Sequence, residues 1–363
     1  MVAEPVIVTH ALGSYPVHIE VGALSRLPAL IHEVLPDRRV VMISDTVVHA
    51  LYTAGRFGTP PWTGETLTFE PGEKSKTRET WARLTDALME RGFGRDSGVI
   101  ALGGGVTGDL AGFVAATYMR GIPYLQVPTT VLAMLDASVG GKTAVDTPQG
   151  KNLVGAFHPP AAVIADPQVL LTLPDRDYRA GLAEAVKHGL IADPDYFTWI
   201  EGSTLALLSR DINVLTRLIR RSIEIKGEIV ADDERESGRR AILNAGHTVA
   251  HALEQSSGYQ LPHGEAVALG LIVECRLAEQ MGIAAAGLCS RLTRVLVSLG
   301  MPVHLPSPTE PGTLISAMAR DKKNQDGHIH FALPAALGRM HRVNGWTTTA
   351  RTEDVRSALL AIA

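Results

Sequence analysis

The chain has 363 residues, enough to form two domains with substantial cores. Hydrophobic residues make up 45% and charged residues 20%, a balance that excludes an intrinsically disordered protein. The formal net charge of −4 argues against a nucleic-acid partner, so anion binding would need a local cluster of cations.

The N-terminal segment and the cysteines bear on where the protein works. Residues 1–16 have neither a basic segment nor a long apolar run, so they do not predict a secretory signal, and no apolar stretch has membrane-spanning length. Cys275 and Cys289 lie in helix-like sequence, and two cysteines are too few for a disulfide scaffold. We expect a cytoplasmic protein with reduced thiols and no membrane partner.

The first half of the chain alternates short β-branched runs with helical stretches. Residues 40–45 and 99–102 are predicted to be buried strands, and residues 77–91 have the apolar spacing of a helix. A glycine triplet at 103–105 follows the second strand and precedes a helix predicted over 110–118. This alternation predicts a parallel sheet covered by helices, a Rossmann-like α/β arrangement.

The second half is mostly helical. The predicted helices cover residues 178–191, 205–230, 245–255 and 264–281, and the Pro-rich residues 301–311 are predicted to connect helices. We therefore divide the chain into residues 1–175, an α/β nucleotide-binding domain, and residues 176–363, a mostly α-helical domain for metal and substrate. We expect a cleft between them.

Two glycine-rich segments are candidate anion sites. Residues 103–109, Gly-Gly-Gly-Val-Thr-Gly-Asp, join a strand to a helix, where backbone N–H groups can approach a phosphate. The spacing is not the GxGxxG pattern of dinucleotide-binding proteins, so a tight turn without a ligand stays equally open. Residues 136–143 end like a Walker A loop, but Asp136 stands where that motif needs glycine, which argues against an ATP-hydrolysing loop.

Three cations lie in turn-like sequence close to these segments. They are Arg120, Lys142 and Lys151. A single one is more typical of a solvated surface charge, but three together favour a phosphate site.

Three histidines indicate a metal site. His247 and His251 are four residues apart, so they share a helix face and can chelate one divalent ion. Spacing alone selects these two as ligands, leaves His263 undecided, and leaves open that all three are structural. Glu184 and Lys187 form a charged pair on an otherwise apolar helix, which suggests a function because such a pair is costly without partners.

Together these motifs resemble the sugar phosphate cyclases, and most closely the 3-dehydroquinate synthase family of the shikimate pathway. The resemblance runs from about residue 40 to about residue 335. The matching strings are residues 71–74, 103–109, 115–121, 128–143, 150–152, 181–189, 243–254, 263–267 and 321–323. Ala245 stands where phenylalanine is common and Ala250 where glycine is common, departures that concern local packing and not the chemistry.

The resemblance implies a bound NAD⁺ and a divalent metal ion, Zn²⁺ or Co²⁺. Glu184, His247 and His263 match the family's metal ligands, and His251 then matches a residue near the substrate instead of a ligand. The positions that match NAD⁺ contacts are Asp45, Glu73, Lys76, Gly105, Val106, Asp109, Thr129, Thr130, Thr172 and Leu173, with Asp136, Lys142 and Lys151 on the same side of the site.

The implied substrate is an anionic sugar phosphate, 3-deoxy-D-arabino-heptulosonate 7-phosphate. Its carboxylate would be held by positions matching Lys226, Arg240 and Asn244. Its phosphate would be held by Lys142, Asn152, one of Lys322 or Lys323, and Arg120 from the neighbouring subunit of a homodimer. The residues expected to act in catalysis are Asp136, Lys142, Lys187 and His251.

The implied reaction is that of a carbon–oxygen lyase. NAD⁺ oxidises the substrate transiently, phosphate leaves by β-elimination, the same cofactor returns the hydride, and an intramolecular aldol reaction closes the carbocycle. A sister cyclase acting on an amino analogue stays open, whereas Arg240 and Asn244 argue against sedoheptulose 7-phosphate and glucose 6-phosphate. A metal-dependent alcohol or glycerol dehydrogenase would release NADH and would not need the phosphate-binding lysines. A regulatory protein that only binds metal or nucleotide would leave the cations unexplained.

Overall fold

The computed structural model describes residues 4–11, 13–57, 62–319 and 329–363. It divides into two compact units, Met1–Pro174 with Leu215–Ala231, and Asp175–Val214 with Asp232–Ala363. The sequence predicts two contiguous domains that meet at residue 175. In the structure, residues 215–231 also belong to the first unit.

A seven-stranded sheet forms the centre of the first unit. Its strands are β1 (Val6–His10), β2 (Gly13–Ile19), β3 (Arg39–Asp45), β4 (Glu65–Phe69), β5 (Ser97–Gly103), β6 (Tyr124–Pro128) and β9 (Ala162–Ala165), and a separate antiparallel hairpin consists of β7 (Lys142–Thr147) and β8 (Gly150–Phe157). The order in the sheet is β1-β2-β9-β6-β5-β3-β4. Within this sheet β1 and β2 pair antiparallel, and the other described neighbouring strands pair parallel, so the predicted parallel sheet is confirmed.

Helices cover this sheet. They are α1 (Leu27–Val34), α2 (Thr46–Thr53), α3 (Arg78–Glu90) and α4 (Gly105–Thr117). All residues of β5 are buried, as expected for a parallel strand with both faces covered. Leu84 of α3 and Leu110 of α4 pack in one core with Val41 and Val99 of the sheet. Helix α4 begins five residues before the predicted start, at the last glycine of the triplet, with the Gly108 N–H bonded to the Gly104 carbonyl.

The second unit is mostly helical, as predicted. Its helices are α5 (Asp175–Ala192), α6 (Pro194–Gly202), α7 (Thr204–Leu208), α9 (His247–Ser256), α10 (His263–Gln280), α11 (Leu288–Ser298), α12 (Pro311–Ala319) and α13 (Thr352–Leu360), and α8 (Ile212–Asp232) begins there before it continues in the first unit. Two short strand pairs are β10 (His330–Phe331) with β13 (Thr348–Thr349) and β11 (Pro334–Ala336) with β12 (Arg339–Met340).

The single helix predicted over residues 205–230 is wrong. The helix is interrupted between α7 and α8, where Arg210 adopts a left-handed conformation with φ 57°. The Asp211 carboxylate then accepts the N–H groups of Asn213 at 2.9 Å and Val214 at 3.0 Å, which caps the new helix. The apolar spacing of the two helices is continuous enough to hide this cap in the sequence.

Cys275 and Cys289 are both buried and free, as expected for core thiols. Within the described ranges, no helix combines the length and apolar character that crossing a bilayer requires.

Candidate active site

The second unit brings together three candidate metal ligands. Glu184 of α5, His247 of α9 and His263 of α10 each offer one ligand atom, and these atoms lie within 4.8 Å of one another. The Glu184 Oε1 atom is 3.8 Å from His247 Nε2 and 3.7 Å from His263 Nε2. The His251 ring stands edge-on to His247, 5.7 Å between centroids, but joins no such group of three among the described residues. The geometry therefore disagrees with the His247–His251 chelate that spacing alone selects.

Close backbone contacts explain why these helices meet. A Cβ atom on Gly264 of α10 would lie 1.8 Å from the carbonyl oxygen of Ala180 in α5. A Cβ atom on Gly270 would lie 1.9 Å from the carbonyl oxygen of Gly246, which has φ 81° immediately before α9. Only glycine permits these approaches, so α10 packs backbone against backbone on the two helices that carry the other candidate ligands.

Each histidine has an acceptor for its second ring nitrogen. His247 Nδ1 is 3.1 Å from the Ala245 carbonyl oxygen, and His263 Nδ1 is 3.4 Å from Glu254 Oε2. Burial acts to lower the pKa of His263, but Glu254 and then Glu184 outweigh it, so this pKa is raised. Because the Nδ1 atoms face these acceptors, the Nε2 atoms of both rings face Glu184.

The Glu184 carboxylate is completely buried and ion-paired on one side only. Its Oε2 atom pairs with the ammonium of Lys187, which is also buried. Its Oε1 atom, on the side of the histidines, has no hydrogen-bond partner among the described residues. One carboxylate oxygen and two imidazole nitrogens suit a Zn²⁺ or Co²⁺ ion, and such an ion would satisfy the buried oxygen.

A buried lysine connects several of the predicted cofactor-binding and substrate-binding residues in the first unit. Lys76 is 4% exposed, and its Nζ atom lies 2.5 Å from Asp109 Oδ2 and 2.6 Å from Asn152 Oδ1. Burial alone would lower the pKa of Lys76, but Asp109, Glu73 and Asp146 outweigh it and raise this pKa. The charged ammonium therefore holds α4 and the β7–β8 hairpin at fixed positions beside the glycine loop.

The glycine loop lies at the carboxyl ends of neighbouring parallel strands. Thr129, after β6, donates its N–H to the Gly103 carbonyl at 2.9 Å, and a Cβ atom on Gly104 would lie 3.1 Å from Thr130 Cγ2. Asp45 ends β3 and caps α2. The buried Thr129 Oγ1 has no hydrogen-bond partner in the part of the chain that the structure describes. An edge of this kind, with a helix N-terminus and an unsatisfied hydroxyl, fits a dinucleotide.

The other predicted NAD⁺ contacts are distributed over the same unit. Gly105 and Val106 form the first turn of α4, and Thr172 and Leu173 end a 3-10 turn. Lys151 of β8 lies 3.5 Å from Glu73.

The predicted carboxylate-binding residues belong to different units. Lys226 of α8 lies in the first unit, where its Nζ atom is 2.8 Å from Asp136 Oδ1 and 2.6 Å from the Asp136 carbonyl oxygen. Arg240 and Asn244 lie in the second unit, in the 3-10 turn Arg239–Asn244. The Arg240 guanidinium is 2% exposed and donates to the Glu234 carbonyl.

The predicted phosphate-binding residues are more exposed. Lys142 begins β7 as an exposed residue, and Asn152 is exposed on β8. Arg120 is exposed and strained, with φ 66° at the end of a 3-10 turn. Lys322 and Lys323 lie outside the described residues.

Two acidic residues in these surroundings were not predicted. Glu254 lies seven residues after His247, a spacing that places both on one helix face and could have identified it. Asp146 accepts the Asn152 N–H at 2.9 Å, and burial raises its pKa to about 6 although Lys76 opposes the shift. The hairpin pairing that brings Asp146 to Asn152 leaves no pattern in the sequence.

Comparisons with known proteins agree on one family. Residues 66–180 match the profile described as 3-dehydroquinate synthase N-terminal, and residues 181–324 match that of the 3-dehydroquinate synthase C-terminal part. A 3-dehydroquinate synthase of Symbiobacterium thermophilum is 46% identical over 89% of this chain and 92% of its own. One from Nitrosospira multiformis is 44% identical over 91% of each chain.

Solved structures of related enzymes share the fold. A 2-deoxy-scyllo-inosose synthase complexed with carbaglucose-6-phosphate, NAD⁺ and Co²⁺ matches with a TM-score of 0.89 at 27% identity, over 99% of this chain and 100% of its own. A 2-epi-5-epi-valiolone synthase from Streptomyces hygroscopicus with NAD⁺ and Zn²⁺ matches with a TM-score of 0.85 at 30% identity, over 96% of each chain. An iron-containing alcohol dehydrogenase, with a TM-score of 0.65 at 15% identity over 95% of this chain and 97% of its own, shares the fold alone.

Proposed function

Because the chain belongs to the 3-dehydroquinate synthase family, we propose that it converts 3-deoxy-D-arabino-heptulosonate 7-phosphate into 3-dehydroquinate and inorganic phosphate. The structural observation that carries this proposal is the group Glu184, His247 and His263, with its unsatisfied carboxylate oxygen. The enzyme is a lyase of the shikimate pathway that uses NAD⁺ catalytically.

The proposed cofactors are NAD⁺ and one Zn²⁺ or Co²⁺ ion. When bound, NAD⁺ accepts and returns one hydride, and the metal ion polarises the hydroxyl group that is oxidised. Glu184, His247 and His263 would hold the metal ion, and the glycine loop after β5 would hold the dinucleotide. Lys187 pairs with the second oxygen of the Glu184 carboxylate and so leaves Oε1 directed toward the two histidines.

Substrate recognition then depends on the two anionic groups of the substrate, its carboxylate and its phosphate. Arg240, Asn244 and Lys226 would hold the carboxylate, and this favours a carboxylated substrate over the sugars that lack one. Lys142 and Asn152 would hold the phosphate, together with Lys322 or Lys323 and with Arg120 of a second subunit. Asp136, Lys142, Lys187 and His251 are the residues proposed to act in catalysis.

A homodimer is the proposed assembly. The hairpin strand β8 exposes three large apolar side chains, Leu153, Val154 and Phe157. A second copy that covers them would remove this surface from water and would supply Arg120. Light scattering should therefore show a dimer that Leu153→Asp converts to monomer, whereas Leu205→Asp, at a side chain 85% exposed on α7, should stay dimeric.

The test of the function is release of inorganic phosphate from the heptulosonate phosphate, with NADH absorbance followed in the same sample. We expect many turnovers with catalytic NAD⁺, no build-up of NADH, and loss of activity on chelation of the metal. His247→Ala should lose both metal and turnover. Stoichiometric NADH from a simple alcohol, without phosphate release, would instead establish a dehydrogenase.

A further inference from the structure

The His263 ring lies between two carboxylates. Its Nε2 atom is 3.7 Å from Glu184 Oε1, and its Nδ1 atom is 3.4 Å from Glu254 Oε2. Glu254 is 3% exposed and belongs to α9, the helix that His247 begins. We propose that Glu254 is a positioning residue of the metal centre. Its carboxylate accepts a hydrogen bond from the Nδ1–H group of His263, and the ring then presents Nε2 as the ligand. This inference rests on the metal site proposed above.

The chemistry of imidazole supplies the reason. A neutral ring carries one N–H, so a proton on Nδ1 leaves the lone pair on Nε2 free for a metal ion. A carboxylate at Nδ1 selects this tautomer, restrains rotation of the ring and increases the electron density that the ring donates. A carboxylate as deeply buried as that of Glu254 is costly unless it makes such a contact.

The second histidine provides a contrast within the same site. His247 is oriented by a neutral acceptor, the Ala245 carbonyl, which no side-chain substitution removes. His263 is oriented by a charged side chain from another helix. A substitution of Glu254 should therefore weaken metal binding through His263 while the three proposed ligands stay unchanged.

The test compares Glu254→Ala, Glu254→Gln and a matched control. Glu265→Gln is the control because Glu265 lies in the first turn of α10, two residues after His263, and makes a bidentate ion pair with Arg176 at 2.7 and 3.0 Å. It removes a carboxylate that joins two ligand-bearing helices without removing the acceptor of the histidine. For each purified protein, Zn²⁺ affinity is measured by competition with a chromophoric chelator, and the visible absorption spectrum is recorded after loading with Co²⁺.

We expect Glu254→Ala to weaken Zn²⁺ binding about 10- to 100-fold and to change the Co²⁺ spectrum. Glu254→Gln keeps an acceptor of the same shape without the charge, so it should lose less affinity, and it serves as the test should the alanine variant not fold. Glu265→Gln should match the native protein in both measurements.

Native affinity and a native Co²⁺ spectrum in both Glu254 variants would overturn the inference. An equal loss in Glu265→Gln would also overturn it, because helix packing would then explain the effect. Failure of the native protein to bind Zn²⁺, or undiminished binding in His247→Ala, would instead refute the proposed metal site.

Discussion

Gly264→Ala should separate the proposed metal ligands from one another although it changes none of them. Gly264 follows the proposed ligand His263 at the start of α10, and its backbone faces the Ala180 carbonyl of α5, the helix that carries Glu184. An added Cβ atom would lie 1.8 Å from the carbonyl oxygen and 2.4 Å from the carbonyl carbon. Both clashing atoms are backbone atoms, so no side-chain rotation relieves them.

The required displacement follows from these distances. Real Cβ atoms essentially never approach other heavy atoms more closely than 3.0 Å, so the gap must widen from 1.8 Å by about 1.2 Å. Metal–ligand distances tolerate only about 0.2 Å, so a shift of this size should remove His263 from the coordination sphere. Overpacking of this kind also destabilises proteins by about 1–3 kcal/mol.

The assay combines Zn²⁺ affinity with thermal unfolding of the metal-free and zinc-loaded proteins. We expect a lower Tm and loss of most of the Tm gain that zinc gives the native chain. Gly202→Ala is the matched control, because no atom of another described residue lies within 4 Å of its added Cβ at the end of α6. If Gly264→Ala kept native Zn²⁺ affinity and native Tm, the backbone contact would not be what assembles the site.

Three other substitutions test separate contacts. Arg240→Ala should raise KM for the carboxylated substrate about 10- to 150-fold, because a charge-assisted contact contributes about 1.5–3 kcal/mol, while Arg239→Ala at a neighbouring exposed ion pair should leave KM unchanged. Lys76→Met should lower the free energy of unfolding by about 3 kcal/mol in urea titrations, since it leaves Asp109 without its cation, and adding Asp109→Asn should recover part of this loss. Burial raises the pKa of Asp146 from 3.8 to about 6, so its stabilising contribution is complete below about pH 4 and is lost as the pH rises through 6. Asp146→Asn should therefore raise Tm more at pH 8 than at pH 5, and an equal change at both pH values would contradict this reasoning.

The sheet and most helices could be predicted because their signals are local. Residues 99–102 are apolar at every position, and the structure places them in the interior strand β5, between β6 and β3. Helix ends were harder, because they depend on single backbone conformations. The helix predicted to start at residue 245 starts at His247 instead, because Gly246 has the non-helical φ of 81°.

The candidate site shows the same division between local and distant information. Spacing identified His247 as a ligand candidate but paired it with His251, since residues four apart share a helix face. The geometry instead favours Glu184 and His263, which come from two other helices. Their approach depends on Gly264 meeting Ala180, a contact between distant parts of the chain that no periodicity records.

Three buried lysines show how the protein can keep charged side chains buried beside the proposed cofactor, metal ion and substrate. Lys76 is paired with Asp109, Lys187 with Glu184, and Lys226 with Asp136. Pairs arranged in advance need little reorganisation when a charged ligand arrives, but they contribute little net positive charge to attract it. The net attraction for a substrate with a carboxylate and a phosphate must then come from other cations. Lys142 and Arg120 are exposed on the first unit, so substituting them should alter substrate binding with little effect on folding, whereas substituting the buried lysines should alter both.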